Sequence, residues 1–403
     1  MTRIVVTGLG VISPIGNNIN QFESALMMGK SGIEKNHFHN TAGFRSDQIG
    51  QVKGFEPSIP MTPYQKRHYS FVDLYSLAAT HEALERAELK ITDETAKRTG
   101  VLLGSGGAVA HTESYVSSAV QQEYRKPSLL LNCNPDTATS AVANYYSLHG
   151  PRTSIMTACS SGATAIGFAA DLIHEGFADV MITGGVESLS YVTLSGFNSL
   201  QALSEETTRP FDKTRDGIVL GEGAGILILE SYEHAQARGA AILGEFVSYG
   251  MTSDANHITA PHPEGLGMAS AMQIALRDGH IKPEDITYIN AHGTGTELND
   301  KSETAAIKNV FGDHAYNICV STIKPMIGHC LSAAGALEAI ATVLALKGQF
   351  VPPTLNYTTP DPNCDLDYVP NIARNREMTY AMSNSLAFGG NNTSLIFKNT
   401  GMN

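Results

Sequence analysis

A chain of 403 residues and 43.0 kDa, 42% hydrophobic with 38 glycines, is long enough to bury a large core, and its length alone suggests two or three domains. The formal net charge of −12 and pI near 5.6 argue against a nucleic-acid partner, because phosphate binding needs a positive field; an acidic protein partner would have to find a local basic patch. No apolar run approaches the ~18 residues of a membrane span, no secretory signal precedes Ile4-Val5-Val6, and five cysteines (Cys133, Cys159, Cys319, Cys330, Cys364) without CxxC or zinc-type spacing read as reduced thiols, so a soluble cytoplasmic protein with no metal is expected.

Taken in chain order, strand-like and helical runs alternate. A strand over 3–7 leads to a helix near 21–28. A single long helix follows from about 66 to 89, with Phe71, Leu74, Leu77, Ala78 and Leu84 on one side, and then a strand at 100–103. A strand at 154–158 runs into a helix at 160–175, and further strands fit 180–183, 225–230, 286–290, 318–321 and 394–397. This alternation is that of an α/β fold. Repetition is faint: each half has a strand opening into a glycine-rich turn, Thr183-Gly184-Gly185 and Ala387-Phe388-Gly389-Gly390, and pattern alone does not establish a duplication.

Cys159 lies at the junction of the 154–158 strand and the 160–175 helix. The first turn of a helix carries unpaired N–H groups and the positive end of the macrodipole, so a thiol there is expected as a thiolate nucleophile. Ala163, Ala165, Ile166, Phe168, Ala169, Leu172 and Ile173 make that helix apolar nearly all round, which predicts burial. Two histidines follow apolar runs in small-residue turns, Asn290-Ala291-His292-Gly293-Thr294-Gly295-Thr296 and Lys324-Pro325-Met326-Ile327-Gly328-His329. Glu338 falls on an apolar helical face with Leu337, Ala339, Ile340, Val343 and Leu344, where a lone carboxylate is costly unless paired; Lys324 is the candidate partner.

Val6-Thr7-Gly8-Leu9-Gly10, Thr157 to Gly162, Arg209-Pro210-Phe211-Asp212, Asn290 to Thr296, Lys324 to His329 and Phe388-Gly389-Gly390 occur in an order and spacing that resembles the β-ketoacyl-acyl carrier protein synthases of the II type, from Arg3 to Lys398. The resemblance implies a thiolase-like five-layered αβαβα fold of two similar halves, here 1–245 with the nucleophile and 246–403 with both histidines and the gating loop. It implies that Cys159 takes an acyl chain as a thioester, that the backbone N–H groups of Cys159 and Phe388 form an oxyanion hole, and that His292 and His329 bind a malonyl thioester and promote loss of CO2. By the same resemblance Thr294 and Thr296 hydrogen-bond the phosphopantetheine arm, which arrives on the carrier protein, so no cofactor of the enzyme's own is expected. Lys66, Arg67, Arg125, Lys126 and Arg209 match basic positions that receive the acidic acyl carrier protein, and the functional unit would be a homodimer or a heterodimer with a chain-length-factor-like homologue.

Four positions depart from the housekeeping pattern of that family. Gly107 stands where a bulky aliphatic floors the acyl pocket, Ala387 replaces a glycine beside Phe388, Asn391 replaces a threonine, and Ala260 replaces a serine. The expected activity is elongation of a fatty-acyl chain by two carbons; the alternative, towards which Gly107 leans, is the ketosynthase of a polyene or polyketide pathway. A non-catalytic partner subunit is disfavoured by Cys159, His292 and His329 together. A thiolase is disfavoured because 386–392 lacks a second cysteine, and the Cys-His-Asn branch by His329.

Overall fold

The computed structural model describes residues 2–38, 40–57, 59–121, 130 and 134–401. Ten strands form one mixed sheet: β1 (Ile4–Ile12), β2 (Thr99–Ser105), β3 (Arg152–Ile155), β4 (Val180–Glu187), β5 (Gly223–Ser231), β6 (Gly244–Ser253), β7 (Ile286–Asn290), β8 (Cys319–Ser321), β9 (Tyr380–Leu386) and β10 (Asn391–Lys398). Their order is β8-β7-β9-β10-β6-β1-β5-β4-β2-β3, so β1 to β5 and β6 to β10 repeat one topology. The pairings repeat too. β1–β5 and β5–β4 are antiparallel and β4–β2 and β2–β3 parallel, as are β6–β10, β10–β9, β9–β7 and β7–β8 in turn. The halves join where Ile4 to Val6 pair with Gly244 to Phe246, and the expected division after residue 245 falls inside β6.

Side chains alternate across the sheet, as a two-residue period requires. Leu102, Met181, Leu227 and Leu229 of the first half and Tyr288, Ala381, Leu395 and Phe397 of the second enter one central core. Their neighbours Val101, Ile182 and Ile228 join an outer core on the first half, and Ile289, Met382 and Ile396 another on the second. The central core is filled by two helices, α2 (Ser161–His174) and α5 (Ala334–Gly348), which lie back to back: a Cβ on Gly335 would come 2.8 Å from the Cβ of Ala163. Outer layers are made by α1 (Phe71–Arg86) and by α3 (Leu266–Gly279) with α4 (Glu297–Phe311). Close layering is possible where β1 has no side chain, since a Cβ on Gly10 would sit 1.8 Å from the Ala79 carbonyl oxygen of α1.

Three expectations change. The long helix over 66–89 is two helices, Pro63–His68 and α1, because Tyr69 is extended (ψ 135) and the Ser70 hydroxyl and Asp73 carboxylate form a capping box that starts α1 afresh. The first strand continues past residue 7 to Ile12, through Gly8 and Gly10. A helical stretch of membrane-spanning length and apolarity does exist, Leu331–Gly348 with mean hydropathy 1.4, and 89% of it is buried inside the protein as the central core helix.

Candidate active site

Cys159 occupies a 3-10 turn, Ala158–Ser160, between β3 and α2, and is 6% exposed. The turn is tight: Ala158 has φ 49, a left-handed conformation that costs a non-glycine residue of order 1 kcal/mol and survives only where the surroundings enforce it. The enforcing contacts are local hydrogen bonds. The Ser161 hydroxyl donates to the Ala158 carbonyl at 2.6 Å and accepts from the Thr157 N–H at 2.9 Å, while the Ser160 hydroxyl donates to the Thr157 carbonyl at 2.9 Å. The expectation of a resting thiolate is corrected. Burial pushes the Cys159 thiol up to about 12, and the opposing pull of the Lys324 charge and of the Phe388 N–H that reaches the sulfur does not cancel it.

The second half brings its groups to the C-terminal ends of β7 and β8, where ligands gather in α/β sheets. His292 lies just after β7, and its N–H and that of Gly293 donate to the two carboxylate oxygens of Glu303 at 2.8 and 2.9 Å. Lys324 is 1% exposed; its ammonium donates to Glu338, to the His292 carbonyl, and to His292 Nδ1 at 3.3 Å. The expected Lys324–Glu338 pair is therefore present and buried on both sides. Burial pushes the Glu338 carboxyl up to about 7 against the pull of Lys324.

These bonds fix the tautomers. An ammonium has protons only to give, so His292 Nδ1 accepts and Nε2 carries the ring proton. His329 Nδ1 accepts the Leu331 N–H at 3.2 Å, which leaves its proton on Nε2 as well. Burial and the Lys324 charge hold both imidazoles well below their ordinary pKa, so both are neutral donors. Their ring centroids are 5.3 Å apart at 84°. His329 is anchored across the halves, its N–H donating to the Val219 carbonyl at 2.7 Å and its own carbonyl accepting from Gly221 at 2.9 Å.

Cys159, His292, His329, Phe388, Thr294 and Thr296 line one cavity of about 370 Å³. The Thr294 and Thr296 hydroxyls are 3.0 Å apart. Phe388 stacks on Phe197 at 5.6 Å, and its loop is pinned to a facing segment: the Gly389 N–H donates to the Ile258 carbonyl at 2.8 Å and the Asn392 amide to Asp254 at 2.8 Å. Ala387 and Ala260 line the same cavity. Among the described residues no group of three or more His, Cys, Asp or Glu is placed to hold a metal ion.

Gly107 does not line this cavity. Its φ is 81, and a Cβ there would point at the backbone of Pro135 and Asn134, 3.2 to 3.4 Å away. The backbone angle favours glycine here, and a side chain would meet the 134–135 turn. Of the expected docking cations, Lys66 and Arg67 are exposed on the Pro63–His68 helix and form no ion pair among the described residues. Arg209 is partly exposed and pairs within its own chain with Glu206 at 2.6 Å and Asp216 at 3.7 Å. Arg125 and Lys126 lie outside the described residues.

Sequence reasoning missed Asp300 and Glu303, both fully buried on α4. The signal was available: they lie three apart on the face that continues through Thr304 and Ile307, and a carboxylate on a buried helical face needs partners, the same argument that singled out Glu338.

Residues 1–235 match the family model of the β-ketoacyl synthase N-terminal domain and residues 243–358 that of the β-ketoacyl synthase C-terminal domain. The chain is 44% identical over 405 residues to 3-oxoacyl-[acyl-carrier-protein] synthase 2 of Staphylococcus aureus (strain N315), covering 98% of both. Among solved structures, the ishigamide ketosynthase/chain length factor superposes with a TM-score of 0.94 at 36% identity, covering 99% of this chain and 100% of that one. A type II PKS acyl-carrier protein in complex with its ketosynthase bound to the hexaketide gives 0.91 at 35%, over 99% and 100%. Family models over both halves and relatives matched along their full length show that the chain belongs to the β-ketoacyl synthase family, with its thiolase-like fold.

Proposed function

We propose that the protein is a β-ketoacyl-acyl carrier protein synthase that joins an acyl chain held on Cys159 to a malonyl unit by decarboxylative condensation, lengthening the chain by two carbons. The observation that carries this reading is the pair of Nε2–H donors on His292 and His329 in the cavity of Cys159. In the first stage the Cys159 sulfur attacks the acyl thioester carbonyl and the carrier thiol leaves with a proton; the N–H groups of Cys159 and Phe388 stabilise the oxyanion. In the second, the histidine Nε2–H groups hold the malonyl thioester oxygen, CO2 departs, and charge develops as an enolate on the oxygen they hold. The enolate carbon then attacks the Cys159 thioester carbonyl, the carbon–sulfur bond breaks, and the Cys159 thiolate leaves and takes a proton from water, restoring the resting thiol. A site built from neutral donors suits this step, because the donors stabilise the enolate without protonating the carbon that must attack.

The resting thiol fits the same division. Burial favours the protonated thiol at rest, which lowers its reactivity towards alkylation and oxidation. The first half, 1–245, supplies the nucleophile and the second, 246–403, the decarboxylating groups. Phosphopantetheine enters on the acyl carrier protein, for which Lys66 and Arg67 offer exposed positive charge that is not in an ion pair among the described residues. Cytoplasmic location is supported by the free thiols of Cys159, Cys319, Cys330 and Cys364. A second subunit is supported by β3, which forms an edge of the sheet beside the exposed Met156.

A second reading, a ketosynthase of a polyene or polyketide pathway working with a chain-length-factor-like subunit, draws on the likeness to the ishigamide protein. Intact-mass measurement after incubation with a panel of acyl carrier thioesters tests the function: wild type gains the acyl mass and Cys159→Ala does not. A wild-type chain that stays unmodified by every thioester would overturn it. The longest acyl group retained by the protein alone, and with a co-expressed chain-length factor, separates the two pathways.

A further inference from the structure

Four successive carbonyls of the turn that carries Thr294 and Thr296 are held by one loop of the first half. The Thr208 hydroxyl donates to the Thr294 carbonyl at 2.8 Å, and the Gly217 N–H to that of Gly295 at 3.0 Å. Arg215 completes the set, its Nε donating to the Thr296 carbonyl and its Nη2 to that of Glu297, each at 3.3 Å. The turn is grasped from behind as well, since Asp300 Oδ1 accepts the Gly295 N–H at 3.2 Å. Gly295 has φ 80, and a Cβ there would lie 2.3 Å from the Thr208 hydroxyl, so the two segments close only over a glycine.

Arg215 is itself immobilised. Its side chain is 4% exposed, with Nη1 donating to the Asp212 carbonyl at 2.8 Å and to Asp361 at 2.5 Å, and Nε 3.9 Å from Asp300. A buried guanidinium flanked by two carboxylates adds little net stability compared with a well-packed apolar side chain, which points to a use other than stability. It lines the same cavity as Thr294 and Thr296. Carbonyls fixed in this way fix the direction of the threonine hydroxyls that alternate with them.

We propose that Arg215 and Thr208 are positioning residues that hold Thr294 and Thr296 at the spacing a phosphopantetheine arm requires, and so set the affinity for carrier-delivered thioesters while leaving the bond-making step alone. The inference rests on the condensing-enzyme reading of the site. It is tested by comparing CO2 release from malonyl carrier protein with release from malonyl ethyl thioester, which presents the same reacting carbonyl but has no amide for the threonines to hold. Thr208→Val should raise KM for the malonyl carrier protein about two- to tenfold, the worth of one hydrogen bond, with kcat unchanged and the ethyl thioester unaffected. Arg215→Met should do the same more strongly and Arg215→Lys should recover part of the loss; if Arg215→Met does not fold, Thr208→Val decides. An equal loss on both thioesters, or no change in either KM, would overturn the inference while the wild type still turns over. A wild type inert towards both would bring down the reading of the site as well.

Discussion

The chain makes the same strand-to-helix crossing twice, from β3 into α2 and from β8 into α5, and builds opposite environments at the two turns. The first turn, Thr157 to Gly162, is made of small neutral residues and is held by short hydroxyl-to-carbonyl bonds around Ala158. The second, Lys324 to His329, is organised by a buried ammonium that ties β7, β8 and α5 together through His292 and Glu338. A nucleophile needs access and a forced angle, which packing supplies. Stabilising an enolate needs donors of known tautomer, which in this site requires fixed charge. On the proposed mechanism, the duplication lets each demand be met at an equivalent position without compromising the other.

Breaking the charged turn should therefore cost most. Glu338→Ala leaves the Lys324 ammonium buried without its carboxylate, and the expected destabilisation is about 3 to 5 kcal/mol, read as a lowered midpoint in urea with little change in slope. A change under 1 kcal/mol would mean that the pair does not hold the turn. Replacing His292 or His329 by Ala should cut malonyl decarboxylation by ~10² to 10³ while Cys159 still accepts an acyl group, the loss that follows removal of one preorganised donor. A histidine variant that decarboxylates normally would remove that residue from the mechanism.

The neutral turn is probed by pH. Because burial raises the Cys159 thiol to about 12, its thiolate fraction climbs throughout the accessible range, and alkylation by iodoacetamide should accelerate about tenfold per pH unit from 7 to 10 with no plateau. A plateau near neutrality would indicate the thiolate that the helix terminus alone suggests. The smallest effects belong to the surface. Arg67→Glu should slow carrier-protein association several-fold at low salt and much less at 1 M, where the screening length falls to about 3 Å. Arg209→Glu tests the contrast, since Arg209 is already paired with Glu206 and its reversal should act mainly through local repulsion that added salt does not remove as fully.

Residues whose role follows from local pattern were legible in the sequence. Cys159 at a strand-to-helix junction, histidines in small-residue turns and a carboxylate on an apolar helix each stand out over a few positions, and the family resemblance that the ordered motifs carry implied the fold. The duplication was not legible because it resides in strand order and pairing, which impose only alternating burial on the sequence. Asp300, Glu303 and Arg215 act on turns brought near by folding, so only their uneasy burial could have marked them. The positive φ of Gly107 was not legible either, because residue type at a matched position says nothing of the backbone angle there.

The central claim is that acyl transfer and decarboxylation are carried by separate groups in one cavity. It is tested most directly by CO2 release from malonyl carrier protein with Cys159→Ala. The sulfur takes no part in stabilising the enolate, so the variant should release CO2 at the wild-type rate or faster while forming no condensation product. A folded Cys159→Ala protein that neither condenses nor decarboxylates would contradict the account.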